Sequence, residues 1–265
     1  MNNMNKSLLM SFEEYSSILN KHTRPYFYSI KSSNQFLYYF GSKHTYDPTH
    51  PQFELLQKEW SDFLQKTSGA KSVVIFEGIA NINNQATQEE VIKKYGESGA
   101  IVFMSSKENI PCIRPEPTVE YEVEKLLNEF SKEEVFYFYI IRGIVTWQRT
   151  VVKKEFDEYI TLNIKRYQDI LKWESFDFSF DAIKKIHGHI FGKEFDLSDK
   201  EYIAKIPSPS FKESRINEIA RMSSMIRNIA ILDCIEKYWM EGNNIFVVYG
   251  ANHAVMQEPA IKSLV

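Results

Sequence analysis

The chain has 265 residues, 43% of them hydrophobic and 25% charged, with nine prolines and no low-complexity tract, which excludes a disordered chain and predicts a folded globular one. A net charge of −3 lacks the clustered basic excess that tracks a phosphate backbone, so nucleic acid is not the expected partner. The two cysteines, Cys112 and Cys234, have no Cys-x-x-Cys spacing, which excludes a zinc ribbon or a disulfide framework and fits a reducing compartment.

In chain order, the opening segment Met1 to Met10 holds only three consecutive apolar residues before Ser11, too few for a signal-peptide core. The longest apolar run, Val135 to Trp147, is interrupted by Arg142 and falls short of the roughly 20 residues of a membrane span. A soluble, cytoplasmic protein with no membrane partner is expected.

A strand-like run, Gln35 to Phe40, leads into Gly41-Ser42-Lys43-His44. The segment from Gln52 to Gln65 carries Phe53, Leu56, Trp60, Phe63 and Leu64 at helical spacing and is stopped by Gly69. It feeds a strand, Ser72 to Phe76, that runs straight into Glu77-Gly78. Strand, helix and strand together have the size of a parallel crossover, which predicts that the site residues His44 and Glu77 are neighbours.

Thr87 and Glu90 have capping-box spacing and predict a short helix ending near Gly96, followed by a further strand over Gly99 to Met104. Three prolines between Ile110 and Pro117 exclude helix there, and Arg114 and Glu116 on this loop are candidates for substrate binding. Helices are predicted over Val119 to Phe130 and, capped by Ser131 with Glu134, on to about Arg149, with Arg142 on the second. The segment from Lys153 to Ser210 is the least periodic, and is expected to be a helical cap or insertion at 153–210 that sets substrate choice.

Glu213 to Glu241 predicts one long helix, terminated by Gly242, with a buried stripe through Ile216, Ile219, Ala220, Met222, Ser223, Ile226, Ile229, Ala230, Cys234 and Tyr238. The last strand, Asn244 to Tyr249, ends in a second Gly-x-x-His, Gly250-Ala251-Asn252-His253. Counting ~1.5 Å per helical residue against ~3.3 Å per strand residue brings Arg227 level with His253 and leaves Arg221 beyond the site. The fold class is therefore α/β, a central, mostly parallel sheet flanked by helices, as a single domain over 1–265.

A Gly after a strand permits a tight turn, and ligands of open α/β sheets bind at the carboxyl ends of the strands. His44, Glu77 and His253 delivered to one edge can hold a divalent metal with an open position for water. The same residues serve without metal, with His44 as general base, Glu77 orienting the imidazole and Arg227 stabilising an oxyanion. Residue types alone leave both open. Asp47 is either a further ligand or a turn residue before Pro48, His50 is expected to cap the next helix, His22 to lie on the surface, and His187 and His189 to form a metal pair only if a strand placed them on one face.

The two Gly-x-x-His motifs, the Glu77-Gly78 strand end and Arg227-Asn228 on the penultimate helix resemble the TraB/Tiki superfamily, which groups TraB/PrgY/GumN proteins and Tiki metalloproteases with erythromycin esterases and haem-binding ChaN proteins. The resemblance implies an α/β fold whose cleft is lined by His44, Glu77, Arg227 and His253. Its Tiki-like members imply a metal-dependent peptidase using manganese or cobalt, its erythromycin esterases a water-activating histidine, and ChaN iron or haem capture. The expected function is hydrolysis of a peptide or a small-molecule ester or amide, with His44, Glu77 and His253 holding manganese, cobalt or zinc, or activating water, and Arg114, Glu116, Arg142 and Asn252 contacting substrate. The alternatives are a haem or iron carrier, with Tyr46 and the aromatic helix Phe136 to Trp147 lining the pocket, and a binding protein without chemistry.

Overall fold

The structure, a computed structural model, describes residues 3–19, 21–78, 80–82 and 86–265. Met1 and Asn2 of the opening segment lie outside the described residues. The strands are β1 (Tyr26–Lys31), β2 (Phe36–Ser42), β3 (Ser72–Phe76), β4 (Cys112–Ile113) and β5 (Asn244–Gly250). The helices are α1 (Phe12–Ile18), α2 (Gln52–Lys66), α3 (Gln88–Lys107), α4 (Val119–Leu126), α5 (Lys132–Arg149), α6 (Phe156–Leu171), α7 (Phe180–Phe191), α8 (Lys200–Lys205), α9 (Arg215–Met240) and α10 (Ala251–Lys262). They fall into two compact units, residues 1–116 with 227–265, and residues 117–226.

The first unit is built on a mixed sheet of order β1-β2-β5-β3-β4, parallel except for the antiparallel β1–β2 pair. This is the α/β architecture expected. β5, from the far end of the chain, inserts between the strands that lead to His44 and Glu77 and pairs with both. The cause is visible in β5 itself, all of whose residues are buried, as the middle strand of a two-faced sheet requires.

Alternating side chains build two cores. On one face Tyr39, Val73, Ile75, Ile245 and Val247 pack with Ile231, Leu232, Ile235 and Trp239 of α9 and with α10. On the other, Tyr38, Phe40, Val74, Phe246 and Val248 pack with Leu56, Trp60 and Phe63 of α2 and Ile101 of α3. Gly41 is held between them by close approach: a Cβ there would stand 2.8 Å from Ala254 Cβ and 2.9 Å from the Tyr26 carbonyl.

The strand expected over Gly99 to Met104 is instead the second half of α3, which continues to Lys107 past a non-helical Gly96 with φ 61° and ψ −140°. The apolar run fits helix because its residues bury one side against the sheet, and the prolines that follow lead into β4. The long helix α9 is present, but the second half of its predicted stripe is rotated: Ile229 is exposed, and the buried positions are Arg227, Asn228, Ile231, Leu232, Ile235 and Trp239. Arg227 and Asn228, polar residues inside the apolar stripe, are buried with their polar groups satisfied.

The second unit is helical throughout, and the segment 153–210 supplies α6, α7 and α8 to it. Its core is the aromatic run of α5, with Phe136 edge-on to Phe176 and Phe178, Tyr139 against Tyr167, and Tyr137 against His187. Those rings fill the interior of the unit, which accounts for the aromatic richness of this segment. His187 and His189 lie two apart on a helix, His187 buried and His189 exposed, so the condition for a metal pair is not met. Among the described residues no helix is long and apolar enough to cross a membrane.

His187 shares a 2.6 Å hydrogen bond with Tyr137 through Nδ1, while its buried Nε2 has no partner among the described residues. Burial, with the positive charge of Lys193 adding to it, pushes its pKa below the ordinary 6.5. The unfolded chain therefore takes up a proton at pH 6.5 that the folded unit refuses, and stability falls as pH drops from about 6.5 toward the lower folded value. Urea unfolding at a series of pH values between about 7.5 and 5 is expected to show this decline. His187→Phe should flatten it, whatever its effect on the baseline.

Candidate active site

The carboxyl ends of β2, β5, β3 and β4 and the start of β1 share one edge of the sheet, and His44, Glu77, Glu116, Arg227 and His253 lie along it. The turn after β2 is pinned by the Lys43 amide, which donates to the buried Gln52 Oε1 at 3.0 Å. It carries His44 in the left-handed region, with φ 53°, a conformation that costs a non-glycine residue about 1 kcal/mol or more and gathers at functional sites. His44 lies against Gly250, where any Cβ would run into the imidazole ring, so glycine is required at this point of the second motif.

The orientation of His44 comes from a residue that pattern reading missed. Glu97, with a side chain only 6% exposed, meets His44 Nδ1 at 2.5 Å and accepts from Ser42 Oγ at 2.8 Å. Because a carboxylate only accepts, Nδ1 carries the proton and the neutral ring keeps its lone pair on Nε2. Glu97 is aimed by the break at Gly96, whose own Cβ position is 3.0 Å from the Thr45 carbonyl and closed to any side chain. The available signal was a glycine inside a capped helical segment directly before an acid.

Glu77 sits at the centre. Its Oε1 accepts from Arg227 Nη2 at 2.5 Å and its Oε2 from the Gly250 amide at 2.9 Å, and Oε2 lies 3.7 Å from His44 Nε2. The carboxylate thus occupies the amino-terminal end of α10, where the helix dipole favours negative charge. Ser98 Oγ donates to the Glu77 carbonyl at 2.5 Å and fixes the backbone from behind. Burial would raise the Glu77 pKa, but the Arg227 guanidinium, with the imidazoles of His44 and His253 nearby, outweighs it and holds the carboxyl well below its usual range.

Arg227 is bound twice. Its Nε donates to Glu116 Oε1 at 2.9 Å and its Nη2 reaches the same oxygen at 2.5 Å, while Glu116 Oε2 accepts the Gly78 amide at 3.0 Å. Burial works against the charged guanidinium, and Glu116 and Glu77 overcome it, so its pKa stands above the ordinary value. The Arg227 side chain is 9% exposed and that of His44 42%, which leaves the imidazole as the part of the cluster open to solvent.

His253 is brought to the same level, but through Asn228. Its Nδ1 lies 2.6 Å from Asn228 Oδ1, which also accepts from Gln257 Nε2 at 2.7 Å; Gln257 in turn accepts from the Tyr39 hydroxyl at 3.0 Å. Asn228 Oδ1 can only accept, so the His253 proton is on Nδ1 as well.

The remaining expectations divide. Glu116 belongs to the cluster, but its contacts are Arg227 and Gly78. Asn252 accepts from Tyr15 and, at 3.0 Å, from Arg24 Nη2. Arg114 is exposed after β4, and Arg142 is half-buried on α5 in the second unit. Asp47 is a turn residue, accepting the Thr49 amide at 2.9 Å, and His50 Nδ1 accepts the Gln52 amide at 3.2 Å at the start of α2. His22 is not a surface residue: its ring lies between Tyr15 and Tyr26 with both nitrogens buried, because the aromatic cover of α1 and β1 encloses it.

For a metal ion the donor set is mixed. Both histidines have Nδ1 oriented by an outer partner and direct Nε2 elsewhere, the usual preparation of a metal-binding imidazole. Glu77 is already engaged by a guanidinium and an amide, and among the described residues no group of three or more His, Cys, Asp or Glu side chains is gathered as a metal site.

Comparison with protein-family models, with curated proteins and with solved structures finds no match to this chain.

Arg227→Gln would leave Glu77 and Glu116 buried without their cation, a change that typically costs about 3–5 kcal/mol. Denaturant unfolding at pH 7 is expected to show a loss of that order, partly recovered in Arg227→Gln with Glu77→Gln. In the wild type, the depressed Glu77 pKa contributes stability that is complete above the ordinary value of 4.5 and is lost as pH falls below it.

Proposed function

We propose that the first unit is a hydrolase of ester or amide bonds in which His44 acts as general base on water, and the observation that carries this is the Glu97–His44 contact. A carboxylate on Nδ1 fixes the tautomer with Nε2 as acceptor and stabilises the imidazolium once it forms. Nε2 removes a proton from water; the hydroxide bonds to the carbonyl carbon and the C=O π pair moves to oxygen. On collapse, the bond to the leaving alcohol or amine breaks and the imidazolium returns the proton to it. Glu77 faces Nε2 from 3.7 Å and attracts both the imidazolium and a polarised water. Arg227 keeps Nη1 for the developing oxyanion, its Nε and Nη2 being taken by Glu116 and Glu77.

A metal-dependent centre is the second reading, favoured by the outer partners that orient both imidazoles toward Nε2 bonding. It fits less well, because a cation bound to Glu77 would face the Arg227 guanidinium across the same carboxylate. The metal-free reading satisfies every contact without displacing one.

The test is hydrolysis of 4-nitrophenyl acetate and of a peptide library by protein treated with chelator, with and without added manganese, cobalt or zinc. His44→Gln is expected to lower kcat/KM about 10²–10⁴-fold without metal present, and Glu97→Gln to lower kcat while leaving KM nearly unchanged. Activity that appears only with added metal would favour the second reading, and a His44→Gln protein as active as the wild type would remove both.

A further inference from the structure

The floor of the site is anionic, since Glu77, Glu97 and Glu116 face one guanidinium and one imidazole, yet its rim is not. Three exposed cations stand along the same sheet edge: Arg24 just before β1, Lys43 just after β2 and Arg114 just after β4. Among the described residues none of the three side chains forms an ion pair.

Arg24 differs from the other two in being held. Its Nη2 donates to the Tyr15 hydroxyl at 3.2 Å and to Asn252 Oδ1 at 3.0 Å, and the Tyr15 hydroxyl also donates to Asn252. Tyr15 is fully buried, and Asn252 sits in the first turn of α10, two residues past the Gly250 that supports the His44 ring. Both partners are neutral, so the guanidinium is positioned with its charge uncompensated. Nε and both N–H groups of Nη1 remain directed elsewhere, and holding the side chain in advance reduces the entropy cost of binding. Arg227 lies at the floor of the site, held by two carboxylates, and in the hydrolytic reading its remaining donor faces the reacting carbonyl and not a distant anionic group.

We propose that Arg24 is a specificity residue that binds an anionic group of the substrate, with Lys43 and Arg114 adding to the field of the rim. The substrate of the site is then an ester or amide that carries a carboxylate or phosphoryl group away from the scissile bond. The position of that group relative to the reacting carbonyl rests on the hydrolytic reading of His44; the anion site itself does not.

Two measurements separate these. The first is calorimetric binding of succinate and of inorganic phosphate, with neutral succinamide as control, to the wild type, Arg24→Gln, Arg24→Lys and His44→Gln. Succinate or phosphate is expected to bind the wild type and His44→Gln alike, at least tenfold more weakly to Arg24→Gln, with partial recovery in Arg24→Lys. The tighter of the two anions assigns the group as carboxylate or phosphoryl. The second is hydrolysis of 4-nitrophenyl hemisuccinate beside 4-nitrophenyl acetate. Arg24→Gln should lower kcat/KM for the charged ester at least tenfold and leave the neutral ester within about twofold, a split that a merely structural role would not produce. Anion binding without hydrolysis would remove the hydrolytic reading and keep the site. Anions that bind no better than succinamide, or equally to Arg24→Gln, would overturn the proposal.

Discussion

The buried guanidinium of Arg227 is the constraint on which the site depends. It joins a long helix, the end of β3 and the turn after β4 through two carboxylates, and each carboxylate then holds a backbone amide, Gly250 by Glu77 and Gly78 by Glu116. Replacing such an ionic group by apolar residues of similar volume often leaves a fold as stable or more so, while removing one partner is expensive. Net stability therefore gives little reason to keep three ionisable residues here. Their common effect is to place Glu77, as an anion, beside the Nε2 of His44 and at the first turn of α10.

From that point acidic and basic side chains alternate along the edge of the sheet, Glu116, Arg227, Glu77, His44 and Glu97. The two ends differ in exposure: the guanidinium is sealed, and the imidazole faces solvent. A proton acceptor is useful only where water can reach it, and electrostatic stabilisation is strongest where water cannot. The fold meets both demands by sinking α9 into the core at Arg227 and Asn228 and lifting His44 on a left-handed turn supported by Gly250.

Much of this was legible in the residues. Each Gly-x-x-His follows a strand, Glu77 ends a third, and the helical rise placed Arg227 level with His253, which its neighbour Asn228 touches. What pattern reading could not supply are features set by tertiary structure. No local signal says that β5 divides β2 from β3, since strand order depends on burial of both faces. The apolar run after Gly96 is compatible with strand or helix, and only packing against the sheet decides for helix. With the helix came Glu97, whose importance lies in a bond to a residue 53 positions away. Arg227 and Asn228 stand inside the apolar stripe of α9, where a buried guanidinium needs a partner such as Glu77, but the stripe's continuation through Ile229 misses the turn of the helix that packing selects.

The tautomer of His44 tests the central claim most directly, because the proposed chemistry requires the proton on Nδ1 and the lone pair on Nε2. Nitrogen NMR of protein labelled in histidine, with His44 assigned by comparison with His44→Gln, reads this at neutral pH. The account predicts Nδ1 protonated in the wild type, with the preference lost in Glu97→Gln. A wild-type ring protonated on Nε2, or one unaffected by Glu97→Gln, would contradict it.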